Sequence, residues 1–378
     1  MTALTGITML EIGDHVSAPT CGAILADLGA DVIKLEPPRH GDSARILGPF
    51  ADGVVDLEHS VLFAHLNAGK RGVTLDLTMP SAGGFLRALL PGIDVVVDNM
   101  THRPEFGGRY HDDWLRECNA DLVIARLSPF GRRGPRAGWT AHEISISAAS
   151  GFSATMGTAD REPLALSDAA VGGNAGLYCA AAILVAVLGG AIDQGGESID
   201  ISEEEALLAA HTASDVLGWA LARSRPRRDG SRQTGDRFIH ENVACRDGMA
   251  HVSMVIPEQR RNLAAVVAAR APELAPRLDP DDVDGFVDVV REWLPTMTQA
   301  ELLDLELEHN IGVLPVLEPA RFHELLDADR SGPATILRDP LVPPRPAPTL
   351  GQHNAEVWGA LPGVTPEVLI DMFQTGLS

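Results

Sequence analysis

Lysine is almost missing from this chain of 378 residues. Lys34 and Lys70 are its two lysines, so arginine supplies the rest of the 30 basic side chains. Acidic residues number 52, which gives a formal net charge of −22. Because a surface of that sign repels the phosphate backbone of nucleic acids, we expect no nucleic-acid partner.

Cysteine is also scarce, and its four positions show neither a CxxC pair nor the spacing of metal ligands. Scattered cysteines in a chain of this length are typical of buried thiols in a reducing compartment, so we expect a cytoplasmic protein. The N-terminus lacks the basic and apolar regions of a signal peptide. The most apolar stretch, residues 175–188, is shorter than the roughly 20 residues that cross a bilayer. It predicts a buried helix and no membrane association.

The N-terminal third alternates the patterns of strands and helices. Short apolar runs bounded by turn residues predict strands at 6–12, 32–35, 72–77, 94–98 and 122–127. Amphipathic stretches between them predict helices, among them 21–28, 81–90 and 114–119. Strands separated by helices of this length form βαβ units, so the sequence predicts an α/β fold with a parallel sheet.

A second domain is predicted beyond residue 222. The basic stretch 223–232 has the composition of an exposed linker. A β-hairpin pattern follows at 242–255, with Asp247-Gly248 as its turn. Helical patterns at 263–270, 284–294 and 299–309 come next. We therefore expect a smaller α+β domain over residues 223–320.

The usual catalytic motifs give no assignment. The chain contains no Walker loop, HExxH or GxSxG sequence. The loop after the first strand has the position of a dinucleotide-binding loop, but it holds one glycine, Gly13, together with Asp14. Such a loop needs several glycines so that its backbone can approach the pyrophosphate. We therefore do not expect a dinucleotide site here.

Six local sequences, spread from the first strand to the C-terminal tail, carry a family resemblance. They are residues 26–37 (ADLGADVIKLEP), 41–45 (GDSAR), 67–77 (NAGKRGVTLDL), 94–100 (DVVVDNM), 128–135 (SPFGRRGP) and 348–357 (PTLGQHNAEV). Taken together and in this order, they closely resemble the family III CoA-transferases (CaiB/BaiF), which include the α-methylacyl-CoA racemases.

The resemblance implies a fold, a partner and a class of substrate. It implies a large Rossmann-like domain, begun by residues 1–222 and completed by residues 321–378, with the small domain at 223–320 between them. It implies two chains threaded through each other as an interlocked homodimer. The implied substrates are an acyl-CoA and a carboxylic acid, with no permanently bound cofactor and no metal.

Several side chains are candidates for holding CoA, whose phosphates need cations in so acidic a protein. Arg45, Lys70, Arg71 and Arg103 occupy predicted loops beside strand ends, where α/β sheets bind ligands. The alternative is that these are ordinary surface cations. The resemblance places Arg45, Lys70, Asn99, Met100 and Arg103 along the CoA channel of the family. His15 joins the set because the first loop faces the expected ligand crevice.

The transferases of the family use one carboxylate as nucleophile. The resemblance implies that it attacks the donor thioester to give a mixed anhydride and then carries CoA as an enzyme thioester. Asp168 is the candidate here, just before the glycine-rich sequence 172–176. An alignment of the following helix without a gap places Gly172 nearer the nucleophile position, so Asp168 serves only with an offset of about four residues.

Two other functions remain open beside acyl-CoA:carboxylate CoA transfer. His142 falls where the racemases carry a histidine, and Glu143 replaces their aspartate. With Asp168 opposite, His142 would move the α-proton of an acyl-CoA. Alternatively, residues 157–164 and 176–182 resemble members of the family that lack the nucleophile. Such a chain would be the non-catalytic subunit of a heteromeric transferase.

Overall fold

The fold was derived from a computed structural model. It describes residues 2–101, 103, 106, 108–210, 220, 228, 233–235, 238–254, 256–318 and 345–378. The chain divides into two compact units, one formed by residues 1–153, 165–224 and 332–378, the other by residues 154–164 and 225–331. Residues 154–164 thus group with the second unit, although the sequence places them within the large domain.

The first unit is built on a six-stranded parallel sheet. Its strands are β1 (Thr8–Ile12), β2 (Asp31–Glu36), β3 (Arg71–Thr74), β4 (Val95–Asp98), β5 (Val123–Ser128) and β6 (Glu197–Ser202). Their order is β3-β2-β1-β4-β5-β6. The predicted α/β fold with a Rossmann-like large domain is confirmed. The order reverses between β1 and β4, which is where open α/β sheets form a ligand crevice.

Helices cover both faces of this sheet, as the two apolar clusters on its opposite sides show. Those that precede the second unit are α1 (Ser17–Asp27), α2 (Val61–Asn67), α3 (Ala82–Leu89), α4 (Asp112–Cys118), α5 (Glu143–Ala149), α6 (Asp168–Leu188) and α7 (Glu203–Ala209). The sequence pattern extends α7 to residue 221, but the part beyond Ala209 lies largely outside the described residues.

The second unit combines an antiparallel sheet with helices, in agreement with the predicted α+β domain. Its strands are β7 (Gln233–Gly235), β8 (Phe238–Cys245), β9 (Gly248–Met254) and β10 (Val313–Val316), in the order β10-β9-β8-β7. The hairpin of β8 and β9 turns at Asp247, as predicted. Helices α8 (Pro257–Arg270), α9 (Val283–Trp293) and α10 (Gln299–His309) pack on it around Phe286 and Trp293.

The C-terminal segment belongs to the first unit. It forms α11 (Asn354–Gly359) and α12 (Pro366–Thr375). The indole N–H of the fully buried Trp358 donates a hydrogen bond of 3.1 Å to the Thr74 carbonyl in β3. The Asp76 N–H donates to the Leu377 carbonyl at 2.8 Å. The segment therefore covers the β3 edge of the sheet.

Helix α6 is longer and less buried than the sequence suggests. It begins at Asp168, because Ser167 caps it and Gly172-Gly173 lie inside the helix rather than in a turn. One face packs on α1, while Leu177, Val185 and Leu188 are exposed, the last by 84%. The expectation of a buried helix therefore holds for the face that packs on α1 and not for the opposite face.

By length and composition, α6 is able to cross a membrane. The same length and composition are ordinary for a core helix of a water-soluble protein. Cytoplasmic location and the lack of membrane association stay predictions.

Candidate functional site

Two cavities lie at the carboxyl edge of the parallel sheet. The β3-side cavity, of about 660 Å³, is bounded by the segments that follow β2, β3 and β4 and by Thr375-Gly376. The β6-side cavity, of about 600 Å³, is bounded by the segments that follow β1, β4, β5 and β6 and by the first residues of α5 and α6. Asp14, Ser43, Ile46 and Arg103 line both. The two cavities therefore adjoin at the point where the strand order reverses.

A cluster of titratable side chains lies in the β6-side cavity. The imidazole Nδ1 of His15 is 3.0 Å from Oε1 of Glu143. One polar atom each of His15, Glu143 and Asp168 lies within 4.8 Å of the other two. This spacing suits an ordered carboxylate nucleophile, and it would also let the three side chains share a divalent cation. His142 lines the same cavity.

Asp168 occupies the first turn of α6, where its side chain is exposed to the cavity. The helix begins there because Ser167 accepts a hydrogen bond from the Ala170 N–H. The free backbone N–H groups of a helix N-terminus favour negative charge nearby. The first turn of α6 is therefore a suitable place for a carboxylate and for the anion formed when it attacks a thioester.

Gly172, the alternative nucleophile position, cannot hold a side chain without displacing its neighbours. A Cβ atom there would lie 2.8 Å from Cβ of Val16 and 3.3 Å from the Ser17 nitrogen. At Gly176, one turn later, a Cβ would lie 2.5 Å from the Ser17 carbonyl oxygen. These glycines let α6 approach α1 closely, so the carboxylate at this end of the helix comes from Asp168.

The loop that carries His15 is held by the end of β4. The Asp14 N–H donates a hydrogen bond of 2.9 Å to Oδ1 of Asn99. The Asn99 amide nitrogen donates in turn to the Asp14 carbonyl at 2.8 Å and to the Ser17 hydroxyl at 3.0 Å. Asn99 is a loop-holding residue in this structure, although its side chain also lines the β6-side cavity.

Arg45 and Lys70, expected to hold CoA phosphates, lie inside the protein. The Arg45 guanidinium uses all its N–H groups on Glu36, Glu58 and the carbonyls of Leu57 and Pro348. The Lys70 ammonium donates to Glu11, to the Pro19 carbonyl and to Asn67. With their donors occupied and both side chains fully buried, neither reaches a phosphate in this structure.

Arg71 lies at the opposite edge of the sheet from both cavities. It is the first residue of β3, and its guanidinium pairs with Asp31 at the start of β2 and with Glu356 of α11. The amino ends of parallel strands lie away from the ligand crevice. The structure therefore does not bring Arg71 to the candidate site.

Arg103 and Met100 do line the β3-side cavity. The Arg103 side chain is 36% exposed and forms an ion pair of 2.9 Å with Asp14. Burial opposes ionisation of Asp14, but the Ser43 N–H and the Arg103 guanidinium outweigh it and lower the pKa of Asp14 to about 2. Arg103 thus carries a partly available positive charge where the two cavities meet.

Sequence reasoning missed several residues that line the site. Arg39 and His40 are exposed and line the β3-side cavity, and their position directly after the Pro37-Pro38 breaker was the available signal. Glu203 lines the β6-side cavity, where burial and the nearby Glu143 raise its pKa. Its signal was its place at the start of a helical pattern, in the acidic sequence Glu203-Glu204-Glu205.

Ser128, at the end of β5, is buried beside the β6-side cavity. Its hydroxyl has no hydrogen-bond partner among the described side chains and backbone. A buried polar atom left in this way costs free energy unless a ligand or water pairs with it. The Ser128 hydroxyl is therefore able to contact a substrate.

Comparisons with known proteins agree with this fold. Residues 4–354 match the sequence model of CoA-transferase family III. The chain belongs to CoA-transferase family III. The predicted family, the enzyme class and CoA transfer are thereby confirmed, and CoA thioesters are the substrates of such enzymes.

Two relatives and one solved structure illustrate the similarity. The succinate–glutarate CoA-transferase of Agrobacterium fabrum is 32% identical over 272 residues, which cover 71% of this chain and 67% of the relative. Subunit BbsE of succinyl-CoA:(R)-benzylsuccinate CoA-transferase from Thauera aromatica is 26% identical, with 90% of each chain covered. A CaiB/BaiF family protein from Brucella suis superposes with a TM-score of 0.79 at 22% identity, covering 95% of this chain and 99% of that one.

Proposed function

We propose that this chain moves CoA between an acyl thioester and a free carboxylic acid by means of the Asp168 carboxylate. The observation that carries the proposal is the place of Asp168. It lies in the first turn of α6, beside His15 and Glu143, in a cavity that adjoins a second one of about 660 Å³. Cavities of roughly 300–1,000 Å³ are typical of small-molecule binding sites.

The proposed reaction starts with attack of an Asp168 carboxylate oxygen on the carbonyl carbon of the donor thioester. The C–S bond breaks, CoA leaves as the thiolate, and a mixed anhydride remains. The thiolate then attacks the Asp168 carbonyl carbon, which releases the donor acid as its carboxylate and leaves an aspartyl-CoA thioester. The acceptor carboxylate repeats the two steps in reverse order, so the new acyl-CoA leaves and Asp168 is restored.

CoA would occupy the β3-side cavity, with its thioester end reaching past Arg103 into the β6-side cavity. The arginines Arg39 and Arg103 line the first of these, together with the imidazole of His40. An arginine can bind a phosphate group with two parallel hydrogen bonds. These three residues take the role that the sequence assigned to Arg45 and Lys70.

A second candidate function is that of a subunit that needs a partner for catalysis. The specific observation is Gly172, which stands near the nucleophile position of the gapless alignment and has no room for a side chain. The relative from Thauera aromatica is itself named as a subunit. A racemase remains the third possibility, because His142 and Asp168 line one cavity.

One experiment separates the three. The protein is incubated in D₂O with either succinyl-CoA or a branched α-methylacyl-CoA and with an acceptor acid of different mass, and the products and the protein are analysed by mass spectrometry. A transferase gives the acceptor's thioester and a transient CoA adduct on the peptide that contains Asp168. Deuterium at the α-carbon without transfer indicates a racemase. No product across a panel of acids indicates a subunit that requires its partner.

Two variants assign the nucleophile. Asp168→Asn should abolish both the adduct and turnover. Asp113→Asn is the matched control, because Asp113 is also an exposed acid in the first turn of a helix, α4, but lies outside both cavities. Full turnover by Asp168→Asn would refute the assignment.

We propose that α6 also contributes to a homodimer. One face of this apolar helix is exposed and carries Leu177, Val185 and Leu188. Exposed apolar patches of this kind are typical of subunit interfaces. Replacement of Leu188 by Glu should shift the protein from dimer to monomer in light scattering, whereas Leu307→Glu on α10, also exposed, should not.

A further inference from the structure

His15 has a backbone conformation that L-amino acids rarely adopt. Its φ angle is +66°, in the left-handed region where a side chain larger than glycine is disfavoured by roughly 1–2 kcal/mol. The surroundings must therefore hold it. The His15 N–H donates a hydrogen bond of 2.8 Å to Oδ1 of Asp42, a residue from the segment that follows β2.

Asp42 is itself fixed from several directions. It is 1% exposed. Its Oδ1 also accepts from the Ala44 N–H at 2.8 Å, and its Oδ2 accepts from the Lys34 ammonium at 2.7 Å. Its own N–H donates to Oε2 of Glu36 at 2.9 Å. A side chain bound at both oxygens has one available orientation.

Lys34 connects Asp42 to the interior of the sheet. The ammonium also donates to Oε1 of Glu11 at 2.9 Å and to the carbonyl of Gly13 at 3.1 Å. The other oxygen of Glu11 accepts from Lys70 at 2.6 Å. The ammonium groups of both lysines thus belong to one buried network of charges. This network contacts the loop after β1 at Gly13 and at His15.

We propose that Asp42 is a positioning residue that acts through His15. It holds His15 in the left-handed conformation and so places the imidazole beside Glu143 and Asp168. The inference rests on the proposed function, because it assigns a use to the His15 imidazole beside the nucleophile. Asp42 touches neither reacting atom in this role, and its effect on turnover passes through the geometry of His15.

Asparagine at position 42 separates this role from simple packing. The amide has one oxygen and one NH₂ group, whereas Asp42 accepts hydrogen bonds at both ends. If the amide oxygen faces His15, the NH₂ group faces the Lys34 ammonium. If it faces Lys34, the NH₂ group faces the His15 N–H. The substitution keeps the shape of the side chain, but either the contact with the His15 N–H is lost or the group that accepts from it is no longer fixed by Lys34. In both orientations His15 loses an acceptor that is held at both ends.

The experiment compares Asp42→Asn with Asp31→Asn, alone and in a His15→Asn background, in the full chain. Asp31 is the matched control because it also accepts from a cation, Arg71, but at the opposite edge of the sheet. Asparagine at position 15 tolerates the left-handed conformation and removes the imidazole. The measurements are kcat and KM with succinyl-CoA, and the ring NMR signals of ¹³C-labelled histidine, with His15 assigned from its loss in His15→Asn.

We expect Asp42→Asn to lower kcat by about 10²-fold, the usual effect of a displacement near 1 Å at a reacting group, while KM changes little. The His15 ring signal should shift, and Asp31→Asn should change neither quantity. In the His15→Asn background, Asp42→Asn should have no further effect on kcat. An unchanged kcat in Asp42→Asn, or an equal loss in that background, would overturn the proposal.

Two other outcomes are also decisive. If the wild-type protein transfers no CoA, the proposed function fails, and the His15 ring signal alone decides the positioning. An unshifted signal in Asp42→Asn then refutes it. If Asp42→Asn does not fold, Asp42→Ser replaces it, since serine still caps the Ala44 N–H. Failure of both variants to fold would show that Asp42 serves the fold itself.

Discussion

The His15 imidazole and the Glu143 carboxylate form an ion pair, or a hydrogen bond when the ring is neutral, across 3.0 Å. The contact joins the loop after β1 to the first residue of α5. Both side chains are about one quarter exposed, at 24%, so each still faces the cavity. A carboxylate in this position fixes the orientation of the imidazole ring, which leaves the other ring nitrogen for a substrate or for Asp168.

Glu143→Gln tests that orientation. We expect kcat for CoA transfer to fall by about 10- to 100-fold, because the ring loses its fixed orientation beside Asp168. KM for succinyl-CoA should change little. Glu117→Gln is the control, since Glu117 is an exposed acid of α4 outside both cavities. Steady-state kinetics of the two variants give the comparison, and equal activities would contradict a role for the pair.

Lys70→Met should reduce the stability of the fold, whereas Arg103→Met should mainly weaken the binding of acyl-CoA. Lys70 is buried. Removal of its ammonium takes a hydrogen-bond donor from the Glu11 carboxylate, from the Pro19 carbonyl and from the Asn67 side chain. Removal of one partner of a buried ion pair costs about 3–5 kcal/mol of folding free energy. Urea unfolding should show a loss of this order in Lys70→Met.

Arg103 lies between the cavities and is partly exposed. A hydrogen bond to a charged group contributes about 1.5–3 kcal/mol, so Arg103→Met should raise KM for acyl-CoA by about 10- to 100-fold. Because the substitution also removes the partner of Asp14, it should lower the free energy of unfolding by at most about 2 kcal/mol, which is less than the loss expected for Lys70→Met. If instead Lys70→Met folds normally and binds CoA poorly, the placement of the two cations relative to CoA is the reverse of that proposed.

Asp14 should make the fold sensitive to acid. Its pKa is lowered to about 2, from 3.8 in the unfolded chain. A carboxylate with a lowered pKa stabilises the fold fully above pH 3.8, and this contribution is lost as the pH falls toward 2. The difference between the two pKa values corresponds to about 2 kcal/mol of folding free energy. Solvent screens little of it, because the Asp14 side chain is largely buried.

The measurement is the free energy of unfolding between pH 5 and pH 2.5. The difference between wild type and Asp14→Asn should shrink as the pH falls, because protonated Asp14 no longer attracts Arg103. Asp52→Asn, at an exposed acid outside both cavities, is the control for the substitution itself. A difference between wild type and Asp14→Asn that stays constant with pH would contradict the ion pair.

Five strands of the parallel sheet were predictable because they are short apolar runs separated by helices. The sixth, β6 (Glu197–Ser202), alternates polar and apolar residues and was not predicted. The burial of Lys70 and Arg45 was not predictable, because a cation in a loop beside a strand end has the same pattern whether it faces a ligand or an inward carboxylate. Their partners Glu11 and Glu36 lie within the apolar strands, and two acids at such positions were the available signal. The family resemblance supplied the order of the motifs, but it could not supply the direction of these side chains.

The start of α6 was mispredicted for a related reason. Gly172-Gly173 reads as a turn in sequence, since glycine weakens a helix by roughly 1 kcal/mol. In the structure Gly172 is required by the close approach of α1, whereas a Cβ at Gly173 would meet no atom within 4 Å. The reason for the first glycine is a contact between residues that are far apart in sequence, and no local pattern contains it.

These two neighbouring glycines provide a direct test of the nucleophile. Gly172→Asp should destabilise the protein by about 1–3 kcal/mol relative to Gly173→Asp, because its Cβ would overlap Val16. Thermal unfolding of the two variants gives this comparison with the same substitution in the same helix. In the Asp168→Asn background, neither new aspartate should restore the CoA adduct or turnover. Recovery with Gly172→Asp would mean that α1 yields and that a carboxylate one turn into α6 reaches the thioester. The nucleophile position would then correspond to Gly172 rather than to Asp168.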